Sequence, residues 1–276
     1  MKTLISAADL MAHLPSTPRP VLLDCSFDLA DTDAGRRAWQ AGHLPGAHYL
    51  HLDDDLSGVK RGDNGRHPLP ERAALAATLG ALGIGPTTPV VAYDAQGGPY
   101  AARAWWLLCW LGHDDVAVLD GGLAAWRAAG GAIETSAPAA VNAAPYPLHA
   151  AAAPTLNAAA VRAGLGRLNL VDARAAERFR GDVEPLDRAP GHMPGARNRF
   201  FKDNLGADGR FKSAAALRSE WQPLAAGGDI VHYCGSGVTA CHNLLAAAHA
   251  GFGLGTLYPG SWSEWSSDPA RPQAKG

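Results

Sequence analysis

Residues 229–251, DIVHYCGSGVTACHNLLAAAHAG, decide how this chain folds. Ile230 to Tyr233 form an apolar run of the length of a buried strand, and the residues after Val238 carry apolar side chains at helical spacing. Between them lies Cys-Gly-Ser-Gly, whose glycines at 235 and 237 mark a tight loop. Strand, loop and helix in that order form the unit of a parallel sheet covered on both faces. In such sheets ligands gather at the carboxyl ends of the strands, and Cys234 falls there.

The same alternation runs outward in both directions. VLLD (21–24), PVVAY (89–93) and VAVLD (116–120) are strand-like, as are LNLVD (168–172) and GTLY (255–258). ERAALAATLGALG (71–83) and ARAWWLLCWLG (102–112) have helical spacing, which makes Trp105, Trp106 and Trp110 core residues. Gly42-His43-Leu44-Pro45-Gly46-Ala47 returns as Gly191-His192-Met193-Pro194-Gly195-Ala196. VLLD ending at Asp24 matches NLVD ending at Asp172, and VVAYD ending at Asp94 matches IVHYC ending at Cys234. LDGGLAAW ending at Trp126 matches YPGSWSEW ending at Trp265. Matches in one order at nearly constant offset indicate two copies of one fold. Residues 134–154, rich in proline and alanine, read as a linker between domains at 1–133 and 155–276. His43 and His192 share a context that also occurs in the half without Cys234, so a turn or core hydrogen bond is their expected role.

Bulk properties agree. A chain of 276 residues suits two domains, and 47% hydrophobic with 18% charged residues is a globular balance. A formal net charge of −2 argues against nucleic acid or an anionic membrane as partner. No apolar run approaches a membrane span, and the start MKTLISAADLMAHLP is broken by Asp9 and His13, with Ser6 placed as a helix N-cap. A cytoplasmic location is therefore expected. Four cysteines with no C-x-x-C pair suggest neither a disulfide framework nor a zinc site.

The loop Cys234-Gly235-Ser236-Gly237-Val238-Thr239-Ala240 is chemically a cradle for an anion. Glycines let successive backbone N–H groups turn inward, and the helix that follows adds the partial positive charge of its N-terminus. A cysteine there is favoured as thiolate, the nucleophilic form, and the same donors suit a terminal persulfide. The plain alternative, an inert cysteine at a strand end, is weakened by the two glycines. At the matching place the first copy has Asp94, so only the second keeps a thiol. Cys241 reads as a packed helix cysteine.

With CGSGVTAC, the duplicated GHxPGA, GRHPLP (65–70), RFRG (178–181) and GSWSEW (260–265), nearly the whole chain resembles the tandem-domain rhodanese superfamily, and the loop resembles its mercaptopyruvate sulfurtransferases in particular. The resemblance implies an α/β protein of two tandem rhodanese-like domains, each a parallel five-stranded sheet flanked by helices, the first catalytically silent. It implies sulfur transfer through a Cys234 persulfide, from 3-mercaptopyruvate or thiosulfate to cyanide or to a thiol acceptor such as thioredoxin. Members that use thiosulfate usually carry Arg-Lys after the cysteine. Gly235 and Ser236 stand there instead, which favours the keto acid.

Residue by residue, the resemblance places Arg178 as an anchor for the donor carboxylate and Arg188 as a second such arginine. Gly235, Gly237, Val238 and Thr239 are expected to line the donor site. Ser236 is expected to work with Asp53 and His67, both assigned to the first domain, in a proton relay. Surface arginines, a solvated acidic turn and a loop histidine are the plain readings of the same residues. No cofactor or metal is implied beyond the sulfur itself. A cysteine phosphatase needs an arginine six residues after the cysteine, where Ala240 stands. A non-catalytic rhodanese-like binding module commonly loses the cysteine or glycines that this chain keeps, and a redox switch lacks a close second cysteine.

Overall fold

The short apolar runs become central strands because each can bury both faces under flanking helices. The structure, a computed structural model, describes residues 3–139, 141 and 144–276. Contacts divide the chain into two compact units. The first comprises residues 1–58, 70–152 and 208–210, and the second residues 59–69, 153–207 and 211–276. Residues 59–69 thus group with the second unit rather than with the half in which the sequence places them. Within the first unit the Tyr146 N–H donates to the Ala76 carbonyl at 2.9 Å and the Ala152 N–H to the Trp110 carbonyl at 3.1 Å.

In the first unit β1 (Leu4–Ile5), β2 (Val21–Asp24), β3 (Ala47–Tyr49), β4 (Val90–Tyr93) and β5 (Val116–Leu119) form a parallel sheet of order β1-β5-β4-β2-β3. Its helices are α1 (Ala7–His13), α2 (Ala34–Ala41), α3 (Arg72–Ala81), α4 (Pro99–Leu111) and α5 (Gly122–Ala128). Ser6 caps α1, its Oγ accepting the Asp9 N–H at 3.1 Å. Trp105, Trp106 and Trp110 on α4 are buried.

The second unit holds β6 (Asn169–Asp172), β7 (Arg197–Asn198), β8 (Ile230–Tyr233) and β9 (Thr256–Leu257) in the parallel order β7-β6-β8-β9. Around it lie α6 (Ala158–Gly164), α7 (Ala176–Arg180), α8 (Ala214–Ala225), α9 (Thr239–His249) and α10 (Ser261–Trp265). This sheet has four strands, not the expected five. The fifth is reduced to one parallel bridge between Thr155 and Leu257, because the neighbouring Pro154 can accept from the Leu257 N–H but has none to donate.

The duplication extends to individual bonds. Tyr93 Oη accepts the Leu44 N–H at 3.2 Å, and Tyr233 Oη accepts the Met193 N–H at 3.4 Å. His43 Nδ1 bonds the Trp39 carbonyl at 2.7 Å with its ring stacked on Trp39, and His192 Nδ1 bonds the Phe179 carbonyl at 2.8 Å with its ring stacked on Phe179. Both histidines are buried braces of the GHxPGA turns, as their shared context predicts. Tyr93 and Trp126 in one core correspond to Tyr233 and Trp265 in the other.

Candidate active site

Cys234 follows the last residue of β8 and is 1% exposed. The loop curls so that its Sγ accepts the N–H of Ser236 at 3.4 Å and of Gly237 at 3.1 Å. Those donors place partial positive charge where a thiolate would carry its negative charge. Gly237 has φ of +80°, and a Cβ there would lie 2.3 Å from the Pro259 carbonyl oxygen, so both conformation and space require glycine. Gly235 is different. Its φ is ordinary, but a Cβ would lie 2.8 Å from Arg66 Nη2 and 3.6 Å from Arg178 Nη1 and Nη2. A side chain there would displace the Arg66 guanidinium tip, and the positive φ that the sequence suggests is confined to Gly237.

The head of α10 holds the loop from outside. The Cys234 N–H donates to Ser261 Oγ at 3.1 Å, and the N–H groups of Trp262 and Ser263 donate to the Cys234 and Gly235 carbonyls, each at 2.9 Å. Ser261 has φ of +54°, the one positive φ outside glycine among the described residues, a conformation sustained by these bonds. Val238 is buried at the head of α9, and Thr239 is that helix's first residue. Cys241 donates its S–H to the Gly237 carbonyl at 3.3 Å, the packed role expected of it.

Ser236 Oγ is hydrogen-bonded to His67 Nδ1 at 2.8 Å, and both residues are buried. His67 groups with the second unit by its contacts, although it lies in the first half of the sequence. The segment that carries it is tied down beside the loop, since the Arg66 N–H donates to Ser263 Oγ at 3.0 Å. Asp53 lies in the first unit, where its N–H donates to His51 Nδ1 at 3.2 Å.

Arg178, on α7, meets Glu184 through Nε at 3.3 Å and Nη2 at 2.6 Å, and Asp187 through Nη2 at 3.0 Å. The other oxygen of Asp187 takes Arg66 Nη1. Burial lowers the Arg66 pKa, and facing Cys234 works in the opposite sense. Arg174 spends all three guanidinium nitrogens on Asp172, Glu184 and the Gly191 carbonyl, and lies over the Trp262 ring at 4.9 Å. It is therefore a brace. Arg188 is exposed and borders a surface hollow with Ser266, Pro269 and Arg271, whose lining includes no residue of the Cys234 loop. The sequence carries no local signal for Arg66, Asp187 or Glu184: Arg66 lies within GRHPLP, but only the fold brings it to the loop. Among the described residues no group of three or more His, Cys, Asp or Glu side chains could hold a metal ion, and no helix is long and apolar enough to cross a membrane.

The first unit provides an internal comparison. Asp94 takes the place of Cys234 at the end of β4, and its carboxylate accepts four backbone N–H groups. Gln96 and Gly98 bond Oδ1 at 2.9 and 2.8 Å, and Tyr100 and Ala101 bond Oδ2 at 3.0 Å each. This copy of the loop is an anion cradle filled by the chain's own carboxylate. The second copy surrounds a single sulfur atom instead.

The rhodanese-like domain family matches the chain twice, over residues 6–129 and 157–268. A Pseudomonas aeruginosa protein named "Probable 3-mercaptopyruvate sulfurtransferase" is 50% identical over 280 residues, covering 99% of this chain and 98% of the relative. Human 3-mercaptopyruvate sulfurtransferase is 36% identical over 271 residues, covering 94% and 89%. The solved 3-mercaptopyruvate sulfurtransferase from Leishmania major superposes with a TM-score of 0.85 at 31% identity, covering 96% of this chain and 74% of that one. With two parallel α/β units and a cysteine loop kept in one of them, the chain belongs to the tandem rhodanese superfamily and is a sulfurtransferase enzyme.

Proposed function

We propose that the chain moves sulfur from 3-mercaptopyruvate to a thiol acceptor or cyanide through a persulfide on Cys234. The carrying observation is the loop itself: Cys234 Sγ already accepts two inward N–H groups, in a fold whose other copy uses the same loop to hold a carboxylate with four. A site that size receives the outer sulfur of a persulfide as it receives carboxylate oxygens.

In the first half-reaction the Cys234 thiolate attacks the donor sulfur. An S–S bond forms, the donor C–S bond breaks, and its electron pair leaves on carbon as the enolate of pyruvate. The proton carried by the transferred sulfur then goes to the enolate carbon, giving pyruvate and a persulfide anion. Ser236 and His67, 2.8 Å apart, are the proposed carriers of that proton. Asp53 is retained as their acidic partner on the resemblance alone. Arg178 anchors the donor carboxylate, while Gly235, Gly237, Val238 and Thr239 shape the floor with their backbone. In the second half-reaction the acceptor attacks the outer sulfur, the S–S bond breaks, and the Cys234 thiolate returns. A cytoplasmic thiol such as thioredoxin fits that step; cyanide would leave as thiocyanate.

The test is steady-state transfer to cyanide from 3-mercaptopyruvate and from thiosulfate, for wild type and Cys234→Ala. A kcat/KM preference for the keto acid that disappears in the variant is expected. A preference for thiosulfate would keep the persulfide and overturn the donor; full activity of Cys234→Ala would overturn the mechanism.

A further inference from the structure

Two guanidiniums, not one, face the loop. The nitrogens nearest a Cβ on Gly235 belong to Arg66 and Arg178. Asp187, its side chain 1% exposed, takes Arg66 through one oxygen and Arg178 through the other, so one buried carboxylate fixes the pair side by side. Its hold leaves particular edges open. Arg66 is engaged through Nη1 and keeps Nη2 toward Gly235. Arg178 is engaged through Nε and Nη2 and keeps Nη1 toward the same glycine. Arg174 keeps no such edge. Three carboxylates balance the three guanidiniums of this cluster, so what it offers an incoming anion is direction more than net charge.

We infer that Arg66 is the second donor-binding arginine, the role expected of Arg188, and that Arg66 Nη2 and Arg178 Nη1 together grip the carboxylate of the sulfur donor. Two N–H donors from separate, pre-positioned guanidiniums match the two oxygens of a carboxylate, and neither side chain has to be reoriented on binding. The neutral sequence Cys-Gly-Ser after β8 is then not an uncharged site. Gly235 leaves the space that a side chain would fill, and a guanidinium from residue 66 is brought into it. This inference deepens the proposed reaction and rests on its keto-acid donor.

The experiment compares Arg66→Gln, Arg66→Lys and Arg188→Gln by KM and kcat for 3-mercaptopyruvate, and by mass spectrometry of the Cys234 persulfide at saturating donor. Loss of one charge-assisted hydrogen bond predicts that Arg66→Gln raises KM about ten- to a hundredfold with kcat within about threefold. Arg66→Lys, which keeps the charge but loses the fork, should fall between it and wild type. Arg188→Gln should leave both constants within about twofold. The persulfide mass must still appear in Arg66→Gln, which shows the loop intact; if that variant does not fold, Arg66→Lys against Arg188→Gln decides. An unchanged KM in the Arg66 variants, or a larger rise in Arg188→Gln, would overturn the inference while leaving the persulfide mechanism standing. Absence of the persulfide mass from wild type would instead remove the proposed reaction.

Discussion

Replacing Gly237 by alanine tests whether the Cys234 loop is held by the contacts described. Two penalties act there. The φ of +80° costs an L side chain about 1–2 kcal/mol, offset by about 0.4–1 kcal/mol because alanine restricts the unfolded chain. A Cβ would also lie 2.3 Å from the Pro259 carbonyl oxygen, a backbone atom that no rotamer change can move, and such overpacking costs about 1–3 kcal/mol. Gly253 isolates the first penalty, since its φ is +76° and a Cβ there meets nothing within 4 Å. Gly253→Ala is therefore expected to lose about 1 kcal/mol and Gly237→Ala about 2–4 kcal/mol in urea unfolding. Any shift of residue 237 also disturbs its N–H, which donates to Cys234 Sγ at 3.1 Å. Sulfur transfer by the folded fraction of Gly237→Ala should fall about ten- to a hundredfold, while Gly253→Ala keeps its rate. Equal stability of the two variants, within about 0.5 kcal/mol, would refute the claim that the Pro259 carbonyl leaves no room for a side chain at residue 237.

Further outcomes follow from other parts of the structure. Ser236→Ala breaks the bond to His67 and should lower kcat about ten- to a hundredfold while the persulfide mass still forms with excess donor; an unchanged kcat would remove the relay. Burial holds the His232 pKa at about 3, against 6.5 when free. The unfolded chain therefore binds the extra proton between those values, and stability should fall as pH drops through that window by up to ~1.4 kcal/mol per pH unit. Urea unfolding of His232→Phe should show a flatter pH dependence there, and an identical slope would contradict the burial argument. Asp94 behaves oppositely: burial raises its pKa above 3.8 and the backbone N–H bonds only partly offset this. The folded state then keeps its proton to higher pH, so this group's contribution to stability is present below the free aspartate value of 3.8 and is lost as pH rises above it. Asp94→Asn should remove that component from unfolding curves measured across the window.

Much was legible in the sequence because it is local. Period and length identify the strands at 21–24, 90–93, 169–172 and 230–233, and the repeat of GHxPGA with its aligned neighbours gives two copies of one α/β unit. Cys-Gly-Ser-Gly between a strand and a helix gives the anion cradle, since the donors are the backbone of the loop itself. Ser236 and His67, paired in the sequence only through the resemblance, lie 2.8 Å apart in the structure. What the sequence left undecided depends on which distant segments share a surface. The second sheet lacks a fifth strand because Pro154 has no N–H to extend the ladder, a matter of one residue's register against Leu257. Arg188 stands one residue from Asp187, yet it faces outward while Asp187 is buried between Arg66 and Arg178. Sequence spacing says that an arginine is nearby; only packing fixes which way each side chain turns. Gly235 shows the same limit: its backbone could be any residue's, and the group it faces is the guanidinium of Arg66, 169 positions earlier in the chain.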